Sequence, residues 1–144
     1  MRQGTRHVAL GACLLIVAVG YGSTRAAAAD DGWNPAAFGE ESTLKFLTVG
    51  PEEGDHWTTV WLVILDDQVY IRLGTAAAGR MDRNTTAPLV KVRVADHEFA
   101  RVRAEAAPDM AARVGTAMGE KYWTDLLIRH TPHPLTMRLV PSQD

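Results

Sequence analysis

The amino-acid sequence predicts a mainly β protein, a small closed antiparallel barrel with one or two helices in its C-terminal half. Three observations carry this expectation. The stretch 57–73, WTTVWLVILDDQVYIRL, reads as two strands joined at Asp66-Asp67-Gln68. Its first strand is apolar on both alternating sets, with Trp57, Trp61, Val63 and Leu65 on one and Val60, Leu62 and Ile64 on the other. A strand apolar on both faces is buried on both, so the sheet must be closed or covered. Five or six strand-like segments recur with turn residues between them, and one late helix precedes a closing C-terminal strand.

Residues 1–29 stand apart from the fold. Arg2, Arg6 and His7 make a short basic start, 8–20 is an apolar run, and 26–29 is all alanine. A membrane helix needs about 20 apolar residues. This shorter run followed by small residues has the layout of a cleaved secretory signal peptide. The expectation is export to the periplasm or the exterior, with no membrane span left after cleavage. Residues 30–43 then form a lead-in whose Trp33 and Phe38 pack on the barrel, and 44–141 form the barrel domain.

Within that domain, 44–49 is the first strand, ended by Gly50-Pro51 and an acidic loop with Glu52, Glu53 and Asp55. Residues 57–65 and 68–73 make the central hairpin, the second strand alternating Val69, Ile71 and Leu73 against Tyr70 and Arg72. Residues 74–84 are a glycine- and alanine-rich loop or one helical turn carrying Arg80 and Arg83. After Pro88 comes a strand with Val90, Val92 and Val94 inward and Lys91 and Arg93 outward. Its partner over 99–104 sets Ala100, Val102 and Ala104 against Phe99, Arg101 and Arg103. Pro108 and Asp109 suit a helix start, because the missing N–H has no helical partner there and the acid meets the positive helix end. Met110, Val114, Met118 and Tyr122 then recur every four residues, an apolar stripe for packing on the sheet. A second short helix is expected over 123–129, and a last strand over 135–140.

The part of the chain after residue 29 holds all seventeen acids and twelve Lys and Arg, a formal charge of −5. That disfavours nucleic acid as a partner. Between Arg72 and Arg103, however, seven basic residues face three acids. Local positive charge on an acidic domain suits a small anionic ligand, while Lys91, Arg93, Arg101 and Arg103 also fit the solvated face of a hairpin. The one cysteine, Cys13, lies in the signal segment, so disulfides, thiolate metal sites and cysteine catalysis are excluded from the domain. Its only serines, Ser42 and Ser142, sit near its ends, which leaves no nucleophile motif. His130-x-x-His133 lacks a third ligand, so no metal site is expected.

The string TTVWLVILDDQVYIRLGTAAAGRMDRNT, the helix ending GEKYW and the closing TMRLVP resemble the motifs of the small DUF2255 proteins, in order, over most of 33–141. That family resembles a branch of the flavin-binding split β-barrels related to pyridoxamine phosphate oxidase and the deazaflavin-dependent reductases. The resemblance implies a split β-barrel that binds FMN or a deazaflavin, works as an oxidoreductase and assembles as a homodimer. It further implies that Arg72, Thr75, Arg80 and Arg83 contact the cofactor phosphate and that Trp57 and Trp61 lie near the flavin. Arginine forks bind phosphate in pairs of hydrogen bonds, and a threonine hydroxyl and loop N–H groups add donors. The alternatives are a cofactor-free binding or structural module of the cell envelope, and a haem-binding barrel using His56 or His97.

Overall fold

The computed structural model describes residues 32–122 and 132–142. The signal peptide expected over 1–29 and the helix expected over 123–129 lie outside the described residues. Six strands, β1 (Thr43–Gly50), β2 (Gly54–Leu65), β3 (Gln68–Leu73), β4 (Leu89–Val94), β5 (His97–Ala106) and β6 (Leu135–Pro141), close into an antiparallel barrel. Their order around it is β1-β2-β3-β6-β5-β4. Closure falls on the β1–β4 pair, through Lys45↔Arg93, Phe46↔Val92 and Leu47↔Lys91.

Closure explains one apolar face of β2, and a helix explains the other. Val60, Leu62 and Ile64 point inward to a core that includes Phe46, Ile71, Leu73, Val92 and Val102, all fully buried. Trp61, Val63 and Leu65 point outward and are covered by α2 (Ala111–Lys121). The expected stripe is the contact: Val114, Met118 and Tyr122 are buried against this face and Met110 joins them. Each such buried side chain contributes about 1.5–3 kcal/mol by leaving water. The 3-10 turn Pro108–Met110 leads into α2.

The lead-in behaves as its aromatics suggest. A short 3-10 helix, Pro35–Phe38, brings Trp33 and Phe38 edge-on to Phe99, with centroids 4.9–5.9 Å apart. Phe99 corrects the sequence reading, which put it on the side of Arg101 and Arg103. The β4–β5 register slips between Val90↔Val102 and Val92↔Phe99, so β5 carries one extra residue there. This bulge reverses the alternation and turns Phe99 into the core with Val102 and Ala104. The turn between β2 and β3 is the pair Asp66 and Asp67, both with positive φ, a conformation aspartate tolerates.

Two strands part company where the fold opens. β2 pairs with β1 along Gly54–Trp61 but with β3 only from Leu62 to Leu65. Past Ile71, β3 keeps β6 as its partner and leaves the edge of β2. The segment expected as a loop or single turn is the two-turn helix α1 (Thr75–Asp82), which follows β3 after Gly74 and seats Ala78 and Met81 in the barrel core. Asn84, just past α1, is a buried hub: its Oδ1 accepts from the Val49 N–H and the Thr86 hydroxyl, and its Nδ2 donates to the Leu89 carbonyl.

Candidate functional site

A cleft of about 500 Å³ lies at this opening, lined by Thr58–Trp61 of β2, Arg72, Gly74–Ala77 and Arg80, with Thr43, Met118 and His133. Four consecutive strand residues cannot all present side chains to one cavity, because neighbours point to opposite faces. The cleft therefore meets β2 along its edge. The direction of that edge follows from Tyr122, whose hydroxyl lies 2.7 Å from both the Leu62 and Ser42 carbonyls. Leu62 thus turns its main-chain groups toward β1, and alternation turns those of Thr59 and Trp61 toward the cleft. The β2–β3 pairing ends at Leu62↔Ile71, so no β3 residue stands in register opposite Thr59. The edge of β2 is open there.

The opposite wall is cationic. Arg72 leaves β3 on its outer face and runs along α2, its Nη1 3.7 Å from where a β-carbon on Gly115 would stand. It makes no ion pair or side-chain hydrogen bond among the described residues. Two acids near the central hairpin are engaged elsewhere, Asp66 by Arg113 and Glu105 by Arg138. α1 begins at Gly74 without a side-chain cap, and its first intrahelical acceptor, the Gly74 carbonyl, serves Ala78. The N–H groups of Thr75, Ala76 and Ala77 are therefore left at the positive end of the helix dipole, facing the cleft. Arg80, one turn further, contributes a guanidinium held through Nε by Glu53 at 3.3 Å. Thr58 Oγ1 is buried in the wall with no hydrogen-bond partner.

The remaining wall is rigid and aromatic. Trp61 stacks on Tyr122 at 4.7 Å with 13° between the rings. Lys121 donates to the Glu41 and Leu62 carbonyls beside it. Burial pushes the Tyr122 hydroxyl above its ordinary pKa, with its hydrogen bond to Leu62 opposing, and burial lowers the Lys121 ammonium against the pull of Glu40 and Glu41.

Of the six residues singled out from the sequence, Arg72, Thr75, Arg80 and Trp61 converge on the cleft. The other two stand outside it. Trp57 lies on the outer sheet face under the Arg93 guanidinium, 4.1 Å from its ring centre. Arg83 ends α1, exposed, with its Nη1 folded back on Gly79. Three residues apart on one helix is not enough to share a site when the helix ends between them. Lys91 and Arg93 pair with Glu98 and Arg103 with Glu105, the solvated hairpin face that strand alternation allows. His56 is tied to Glu53 and His97 sits at the β4–β5 turn near Phe99, so neither reaches the cleft. His133, read only as half of a weak metal pair, does reach it; His130 lies outside the described residues. Among the described residues no group of three His, Cys, Asp or Glu side chains could hold a metal, and no helix is long and apolar enough to cross a membrane.

The sequence missed Thr43, Thr58, Thr59 and the open edge of β2. Threonines at a strand edge carry no motif, and which backbone edge stays open depends on where β3 departs.

No protein-family model matches the chain, and no curated protein matches it. Solved structures do. HutZ, the heme storage protein from Vibrio cholerae, aligns at a TM-score of 0.55 and 18% identity, over 76% of this chain and 88% of that one. A chain described as a domain-swapped dimer aligns at 0.52 and 13%, over 69% and 80%. The fold is a split barrel. At these identities the likeness concerns the fold alone.

Proposed function

We propose that this chain is a DUF2255-like split barrel whose cleft binds a phosphorylated flavin-type cofactor, FMN or a deazaflavin, after export. The observation that carries the reading is the convergence of Arg72, Arg80 and the uncapped start of α1 on one wall of a cleft with room for such a ligand. Phosphate is bound by guanidinium forks and by free N–H groups at a helix start, and Thr75 adds a hydroxyl. The opposite edge fits the rest of the molecule. The open edge of β2 at Thr59 and the orphaned Thr58 hydroxyl offer hydrogen-bonding groups to a flavin's pyrimidine edge. Trp61, held by Tyr122, supplies a flat apolar surface.

When bound, the flavin supplies hydride and electron transfer, the chemistry of a reductase. The chain's own part is to fix the phosphate, orient the ring against β2 and shield one side of it from water. A homodimer belongs to this reading and is checked by light scattering.

Titration of the purified full chain with FMN and with riboflavin, followed by flavin fluorescence, tests the proposal. FMN is expected to bind at micromolar concentration or tighter and riboflavin at least tenfold more weakly, since only FMN carries the phosphate. Equal binding of the two would remove the phosphate site. No binding of FMN or a deazaflavin by folded protein would sink the cofactor reading and leave the envelope-module alternative.

A second reading rests on His133. It is the one described histidine that lines the cleft, and Arg72 and Arg80 are placed to meet carboxylates. Haem offers both an iron and two propionates, and one fold neighbour is a heme storage protein. A Soret band on adding haemin, lost in His133→Ala, would favour it over flavin.

A further inference from the structure

We propose that Glu53 sets the charge selectivity of the cleft, holding its affinity for divalent anionic groups below what Arg72 and Arg80 alone would give. The inference rests on the reading of the cleft as an anion site. Glu53 belongs to the turn between β1 and β2, and its Oε1 is shared: Arg80 Nε lies 3.3 Å away and His56 Nδ1 3.2 Å away. The turn holds it there. Gly54 has φ +71°, and the Glu53 β-carbon packs 3.2 Å from where one on Gly50 would stand. Asn84, just past α1, accepts from the Val49 N–H at the same end of β1 and so ties the hairpin to α1.

A carboxylate on the arginine of an anion site acts twice. It competes for the guanidinium, and it repels the ligand through space. Both effects lower affinity, and repulsion grows with the charge on the ligand. Two arginines and one glutamate leave a single net positive charge among these side chains. That balance narrows the advantage a dianion would otherwise have over a singly charged group such as a phosphodiester. The sequence gives no sign of this, because Glu53 and Arg80 are twenty-seven residues apart.

The test uses anions whose own charge is constant between about pH 5.5 and pH 8, namely sulfate as the dianion and dimethyl phosphate as the monoanion. Binding to the full chain is read from the amide NMR shifts of Thr75, Ala76 and Ala77 at constant ionic strength, since salt screens such effects. Glu53→Gln keeps an oxygen acceptor for Arg80 and removes the charge. It is expected to bind sulfate about three- to tenfold more tightly than the wild type, with a smaller gain for dimethyl phosphate. Sulfate binding that is unchanged or weaker in Glu53→Gln overturns the proposal, Glu53 being then only a bracket for Arg80. If neither anion moves these amides in well-dispersed spectra of both proteins, the anion site itself fails and this inference falls with it.

Discussion

Replacing Tyr122 by phenylalanine isolates one oxygen atom that fastens α2 to the barrel. Position 122 would keep its ring, its place among Val63, Val114 and Met118, and its stack on Trp61. It would lose a hydroxyl 2.7 Å from two carbonyls, Ser42 and Leu62, at the point where the β1–β2 ladder stops. A hydroxyl has one proton, so one carbonyl at a time is served. Leu62 also accepts from Lys121 at 3.2 Å. The net cost of one such bond is about 1–1.5 kcal/mol. Urea unfolding would show it as a midpoint lower by roughly 0.5–1 M at unchanged slope. The difference should also depend on pH. Burial raises the hydroxyl pKa in the fold, so its contribution is complete below the unfolded value of about 10 and is lost as pH rises past it. The gap between the two proteins should therefore narrow above about pH 10, Lys121 being common to both. Equal stability at neutral pH, or a gap that widens in alkali, would refute this account of the anchor. Tyr122→Ala removes the ring as well and should cost about 3–4 kcal/mol.

Five further substitutions sort the remaining residues. Asn84→Ala strands the Val49 N–H and the Leu89 carbonyl in a buried place and should destabilise by about 2–4 kcal/mol in urea melts. Arg80→Ala should weaken FMN binding about tenfold while Arg83→Ala leaves it within twofold, a contrast read by fluorescence titration. Trp61→Leu should weaken FMN binding, whereas Trp57→Leu, which removes only the surface under Arg93, should not; equal losses in both would mean that the cleft is misplaced.

The fold was legible because its evidence is local. Alternation along β3 and β4, the double apolar face of β2 and the four-residue stripe on α2 are each decided by neighbours in sequence. Phe99 was misread because a bulge changes phase without marking the sequence: Ala100 and Arg101 are ordinary strand residues, and only the register with β4 shows the extra one. The helix α1 was half seen. Glycine and alanine disguised it, and its burial of Ala78 and Met81 comes from tertiary packing rather than propensity. At the site, arginines announced themselves by charge and position. Thr58, His133 and Glu53 did not, since each gains its meaning from an element far along the chain. Trp57 and Trp61 show the same limit. They share a face and a spacing of four, and they are separated by where α2 ends its cover and β3 departs.

The central claim is that Arg72 and Arg80 hold the phosphate of a flavin-type cofactor in the opening between β2 and β3. The most direct measurement is FMN titration of the wild-type chain beside an Arg72→Ala, Arg80→Ala double variant, with circular dichroism confirming that both are folded. The account predicts saturable binding at micromolar concentration or tighter, weakened about a hundredfold or more in the variant by the loss of two charge-assisted contacts. Wild-type binding retained in full by the variant would contradict it.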